Sequence, residues 1–146
     1  MSSQMNTEST PVETELEIKS VLLVDDDVDL ANALKALMEA HNFIVTVVCN
    51  GVDALKEVME LDFDAIICDL MMPKMPGDMF YLAVQKTKPQ LCRRFVFITG
   101  HSGDPKVESF LRATQALSLH KPFQPQDLVR MIAHVLARVK EDTAKY

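Results

Sequence analysis

From about residue 19 onward, unbroken apolar runs alternate with segments whose apolar residues recur every three or four positions. Val21-Leu22-Leu23-Val24 is apolar throughout, as expected of a strand covered on both faces. Leu30, Ala33, Leu34, Leu37 and Met38 then follow at helical spacing and predict a helix with one apolar face. Phe43 to Val48 reads as a β-branched strand. Asn50-Gly51 marks a turn, and Asn50 suits the cap of a helix carrying Ala54, Leu55, Val58 and Met59, with Asp53 favourable in its first turn. Ala65 to Cys68 is a third strand. A Pro- and Gly-containing loop leads to a third helix, from Met79 to about Lys88, which Pro89 stops. Phe95 to Ile98 is a fourth strand. Asp104-Pro105 pairs a capping residue with proline at the first helical position and opens a fourth helix. Ala116 to Leu119 is a short fifth strand. Pro125 starts a last helix, with an apolar stripe of Leu128, Met131, Ile132, Val135, Leu136 and Val139.

Regular alternation of five strands and five helices predicts an α/β fold, a parallel sheet covered by helices on both faces. Ligands of such sheets bind beyond the carboxyl ends of the strands. The residues just after each strand are therefore the ones to search for chemistry. The expected domain covers residues 19–141. Residues 1–18, rich in Ser, Thr, Glu and Gln, bury too little apolar surface to offset their ordering entropy and are expected to be a disordered tail. Residues 142–146 are expected to fray.

Composition narrows the function classes. The chain of 146 residues has a net charge of -6 and a pI near 5.1, which disfavours partners made of phosphate, whether nucleic acid or anionic membrane. Arg93 and Arg94 are the one adjacent basic pair and read as a solvated start to a strand. Three cysteines, Cys49, Cys68 and Cys92, with no CxxC spacing, point away from a disulfide framework or a zinc site. Cys68 lies in an apolar run and reads as core. The N-terminal stretch lacks the basic and apolar regions of a secretory signal, and no apolar run approaches the roughly 20 residues that cross a bilayer. A reduced, cytoplasmic setting is the default.

The strand ends carry a constellation. Asp25-Asp26-Asp27 follows the first strand, Asp69 the third, Thr99-Gly100 the fourth, and Lys121-Pro122 the fifth after His120. Each group alone has a bland reading. The acidic run suits a solvated loop, Asp27 a helix cap, Asp69 a turn, Thr99 a strand end and Lys121 a solvated surface. All four types at successive strand ends are another matter. Clustered carboxylates repel unless a cation sits among them, and an oxygen-only set suits Mg²⁺, which accepts one or two carboxylates plus a phosphate. A carboxylate that attacks phosphorus needs that neutralisation, with an ammonium and a hydroxyl to hold phosphoryl oxygens.

The segments VLLVDDD, IICDLMMPKMPG, FVFITGH and HKPF resemble the four signature blocks of response-regulator receiver domains of two-component signalling. The similarity covers about residues 19–140, and the spacing of Asp69, Met72, Pro73 and Gly77 is its most specific part. The resemblance implies a doubly wound, flavodoxin-like five-stranded sheet of order 2-1-3-4-5. It implies Asp69 as phosphoacceptor, and Asp25, Asp26, Asp69 and the Met71 backbone carbonyl as Mg²⁺ ligands. Thr99 and Lys121 would contact the phosphoryl group, and the Lys121-Pro122 bond would be cis. Three positions depart from common relatives. Met71 is apolar where many have a polar side chain, and His101 stands where some have a carboxylate. Ser118 replaces the aromatic that usually swings inward on activation. The first two bear on phosphoryl lifetime and the third on the output switch. Phe110 and Phe123 are the nearest aromatics to it in sequence and are expected to pack under helices.

The function expected is a Mg²⁺-dependent receiver that takes phosphate from the phosphohistidine of a histidine kinase or phosphotransfer protein. It would signal or relay that phosphate to an output partner, as a monomer or weak dimer, either standing alone or as part of a hybrid kinase. It would be a switch rather than an enzyme with a separate substrate. One rival is a receiver-fold binding module that works without phosphorylation. Another is an aspartyl phosphatase of different fold, whose DxD motif Asp69-Leu70-Met71 does not match.

Overall fold

A computed structural model describes residues 19–100 and 103–145, apart from the side chains of 143–145. The expected tail at residues 1–18 and the candidate His101 lie outside the described residues. The elements alternate throughout: β1 (Lys19–Val24), α1 (Val28–Ala40), β2 (Phe43–Val48), α2 (Gly51–Glu60), β3 (Ala65–Asp69) and α3 (Gly77–Thr87). They are followed by a 3₁₀ turn (Pro89–Arg94), β4 (Phe95–Thr99), α4 (Pro105–Thr114), β5 (Leu117–His120) and α5 (Pro125–Lys145). The five strands form one sheet in the order β2-β1-β3-β4-β5, every neighbouring pair parallel. The doubly wound order is thus the one the resemblance implied.

The unbroken apolar runs are explained by burial on both sides. Along β1, β3 and β4, side chains alternate between two cores. Leu22, Val24, Ile66, Cys68, Phe95 and Phe97 pack with α2, α3 and α4. Val21, Leu23, Ala65, Ile67, Val96 and Ile98 pack with α1 and α5. Each strand has period two, so a strand covered on both faces must be apolar at every position.

Helix starts follow the capping chemistry read from the sequence. Asp27 accepts from the Leu30 N–H at 3.1 Å, and Asn50 accepts from the Asp53 N–H at 2.9 Å. The Asn50 side chain also donates to the Asp53 carboxylate at 3.1 Å, so that both residues are tied at the start of α2. Asp104 caps α4, accepting from the Lys106 N–H at 2.9 Å, with Pro105 at the first helical position. α5 runs from Pro125 to Lys145.

Two elements begin elsewhere than the pattern suggests. α3 starts at Gly77, two residues before the expected Met79, because Gly77 lets the helix press onto the end of β3. A Cβ there would stand 2.6 Å from the Asp69 carbonyl oxygen and 2.9 Å from the Leu70 Cα. The Gly77 N–H donates to the Leu70 carbonyl at 3.1 Å. The 3₁₀ turn after Pro89 has no apolar periodicity to betray it, and only its Leu91 is buried. Arg93 and Arg94 close this turn just before β4, with Arg93 exposed and Arg94 half-buried. Arg94 donates to the Phe63 carbonyl at 2.7 Å and Arg93 to the Asp142 carboxylate at 2.8 Å.

Candidate functional site at the carboxyl edge of the sheet

The site is assembled by strand ends. Asp25 follows β1, Asp69 is the last residue of β3, Thr99 the last of β4, and Lys121 follows β5. Pairing Val24 with Cys68 in the β1–β3 register sets Asp25 beside Asp69. Asp69 is registered with Ile98, one place before Thr99, and Thr99 with His120, one place before Lys121. Period-two alternation puts Asp25, Asp69 and Lys121 in line with the α1–α5 side of their strands. Thr99 continues Phe95 and Phe97, on the α2–α3–α4 side.

The charged groups are in contact. Lys121 Nζ donates to Asp69 Oδ2 at 3.1 Å and lies 3.7 Å from Asp25 Oδ2. The Met71 N–H donates to Asp69 Oδ1 at 2.9 Å, and the Asp27 N–H to Asp25 Oδ1 at 2.9 Å. Asp25, Asp69 and Thr99 are buried, Asp26 is exposed, and Lys121 is half-buried. Met71 exposes its side chain while its backbone N–H turns to Asp69. Ser118 is half-buried and registered with Phe97. The Lys121-Pro122 bond is cis.

Burial pushes the Asp25 carboxyl up to about 6. The charges of Asp69 and Asp26 add to that rise, while the Asp27 N–H and Lys121 oppose it. For Lys121, burial alone would lower the affinity for its proton. The hydrogen bond to Asp69 and the charges of Asp69 and Asp25 outweigh burial, and the net shift is upward. The ammonium therefore stays charged against the two carboxylates.

The carboxylates of this edge suit a cation. Asp25 Oδ2 is buried and has no hydrogen-bond partner. One carboxylate oxygen each from Asp25, Asp26 and Asp69 lie within 4.8 Å of one another. An orphaned buried oxygen in an all-carboxylate cluster, open to solvent at Asp26, fits a hard divalent ion that keeps part of its water. Asp25, Asp26 and Asp69 are the side chains that would hold it.

The family described as the response regulator receiver domain matches residues 21–133. The chain belongs to that family. Its relatives include Response regulator SaeR of Staphylococcus epidermidis, 31% identical over 122 residues, a match spanning 83% of this chain and 52% of that protein. Probable transcriptional regulator ycf29 of Pyropia yezoensis is 29% identical over 120 residues, spanning 81% of this chain and 53% of that protein. The chain thus spans about half the length of these curated relatives. Among solved structures, a CheY-like receiver domain protein from Methanospirillum hungatei has a TM-score of 0.79 at 22% identity. It covers 86% of this chain and 99% of its own, and shares the fold. Chemotaxis response regulator CheY4 of Vibrio cholerae has a TM-score of 0.73 at 28% identity, covering 82% of this chain and 100% of its own. This receiver domain contains no helix, among its described residues, long and apolar enough to cross a membrane.

Sequence reasoning found Asp25, Asp26, Asp69, Thr99 and Lys121, and the fold brings them to one edge. It missed the Met71 N–H as a donor to the Asp69 carboxylate. A backbone donor has no residue type to signal it.

Proposed function

We propose that Asp69 is the phosphoacceptor of this receiver and that its phosphorylation depends on Mg²⁺. The observation that supports this best is the buried Asp25 Oδ2, which accepts no hydrogen bond and has only Lys121 Nζ, at 3.7 Å, to answer its charge. An Asp69 oxygen attacks the phosphorus of a phosphohistidine, an O–P bond forms as the N–P bond breaks, and the electron pair returns to the imidazole. When bound, the ion neutralises charge on the carboxylates and on the incoming phosphoryl oxygens. The protein's own groups do the rest. The Met71 N–H fixes the acceptor carboxylate through Oδ1. Lys121 exchanges Asp69 Oδ2 for a phosphoryl oxygen, and the Thr99 hydroxyl takes another. The metal set of Asp25, Asp26, Asp69 and the Met71 carbonyl follows from the same reading.

The donor partner is a histidine kinase or histidine phosphotransfer protein. Lys121 also lines a cavity of about 410 Å³ with Asp27, Leu30, Leu37, Pro122 and Phe123, between α1 and the β5–α5 loop. A phosphohistidine carried on an apolar-faced helix would reach Asp69 across that surface. The protein acts as a switch and modifies only itself, and the three unpaired thiols suit a reducing cytoplasm.

Acetyl phosphate with Mg²⁺ should add the mass of one phosphoryl group to the wild type and none to Asp69→Asn. Unchanged labelling of the variant would remove Asp69 from its role. No labelling of the wild type, by acetyl phosphate or by a panel of phosphorylated kinases, would favour the rival that Ser118 suggests, a module that binds without phosphorylation.

A further inference from the structure

α3 and α4 leave an apolar groove between them that the acceptor chemistry does not use. At its upper end is a cavity of about 380 Å³ lined by Leu70, Met71, Met72, Pro76, Val107 and Phe110, with Asp78, Asp104 and Lys106 at the rim. That volume lies within the roughly 300–1,000 Å³ of pockets that take a ligand group. Beyond the cavity, α3 presents a further exposed apolar side chain. Leu82 stands one turn beyond Asp78 on the same flank and is 48% exposed. The floor of the groove is aromatic: the Phe110 ring lies 5.5 Å from Tyr81 and 5.3 Å from Phe97.

Both walls lead to the acceptor site. One contains Met71, whose N–H holds Asp69 Oδ1. The other is α4, of which only Val107 is fully buried. Phe110 of α4 packs on Phe97, two residues before Thr99 on the same side of β4. Ser118, opposite Phe97 in register, is a small side chain at this position. A phosphoryl group that draws on the Asp69 oxygens and on Thr99 therefore pulls on both walls.

The charges give the groove a direction. Asp78 in the first turn of α3 and Asp104 at the cap of α4 mark one end, with Lys106 offsetting one charge. Lys86 and Arg112, in the last turns of the same helices, mark the other. We propose that the α3–α4 groove binds an amphipathic helix of an output partner. Apolar side chains of that helix occupy the cavity and contact Leu82, and its basic end lies over Asp78 and Asp104. The dependence of this binding on phosphorylation rests on the reading of Asp69 given above; the surface itself does not.

The test uses a fluorescein-labelled synthetic helix of about 18 residues, with leucines three and four apart, Lys and Arg at one end and Asp and Glu at the other. It should bind the wild type and shift amide NMR signals within residues 70–84 and 104–114. A paramagnetic label at its basic end should broaden the first turns of α3 and α4. Leu82→Glu, an exposed change that spares the fold, should weaken binding by about tenfold or more, and beryllofluoride with Mg²⁺ should change the affinity several-fold. No binding, equal binding to Leu82→Glu, or shifts centred on α1 and α5 would overturn the proposal. So would a dimer, seen in sedimentation of the protein alone, that closes this face. Acetyl phosphate labelling run in parallel separates the two readings. Labelling without peptide binding sinks the groove alone. Peptide binding without labelling supports the groove and removes the acceptor reading.

Discussion

At the amino edge of the sheet the charged side chains meet backbone groups or exposed ion partners; at the carboxyl edge buried carboxylates crowd one another and a lysine. The Ser20 N–H donates to Asp64 Oδ2 at 2.8 Å, and the Asp64 N–H donates back to the Ser20 carbonyl at 2.8 Å. Arg94 covers the Phe63 carbonyl, and Arg138 reaches the Arg93 carbonyl at 3.3 Å while Arg93 holds Asp142. This edge pins the starts of β1 and β3 and the end of α5. Across the sheet, at the carboxyl edge, Asp25 and Asp69 crowd one lysine with Asp26 beside them, and a buried oxygen is left without a hydrogen bond. Stability is concentrated at the first edge. At the second, some of it is given up to keep charge available for chemistry, as expected where a functional site breaks the rules that the rest of the fold obeys.

The largest effect expected from this contrast is on labelling. Removing Mg²⁺ with EDTA, or changing Asp26→Ala, should cut acetyl phosphate labelling of Asp69 by about a hundredfold, the scale of losing one electrostatic stabiliser. Full labelling in EDTA would show that the cluster works without a cation.

Next comes the strain itself, measured without metal. The Asp25 carboxyl is raised from 3.8 to about 6 in the folded protein, so the folded state binds its proton more tightly than the unfolded chain. Its contribution is fully favourable below about pH 3.8 and is lost as pH rises through about 6. Asp25→Asn should therefore raise the stability of the metal-free protein at pH 7.5 by about 1–3 kcal/mol. The gain should shrink steadily below pH 6. Urea melts at several pH values in EDTA check it, and a loss of stability at pH 7.5 would contradict the account.

A smaller change is expected at the amino edge, and of opposite sign. Asp64→Ala frees the half-buried Ser20 N–H and should lower stability by about 1–2 kcal/mol. Labelling should stay at the wild-type level, and a coupled loss would mean that the two edges are not separable. The smallest effect belongs to Arg93→Ala. Its ion pair with Asp142 is largely solvated, and it should cost about 0.5 kcal/mol or less, with the melt of α5 unchanged in shape by circular dichroism.

Much of this protein was legible without coordinates. Apolar runs too long for one-sided burial announced a doubly covered parallel sheet. Asp27, Asn50, Asp104 and Pro125 marked helix starts because capping is local chemistry between residues two or three apart. The order in which Asp25, Asp69, Thr99 and Lys121 follow their strands put them at one edge, since every strand of a parallel sheet ends on the same side. What only the tertiary structure decided involves partners distant in the chain. Asp64 clamps Ser20 across 44 residues, and Arg94 reaches Phe63 across 31. Neither pair leaves a periodic trace. The start of α3 was set by the approach of Gly77 to β3, and no local propensity asked for it. The rise of the Asp25 carboxyl, and an Oδ2 that accepts no hydrogen bond, come from burial that sequence position cannot report. The aromatic floor under α4 is of the same kind. Phe97, Phe110 and Tyr81 are ordinary core residues in sequence, and their rings come into contact only because β4, α3 and α4 meet there.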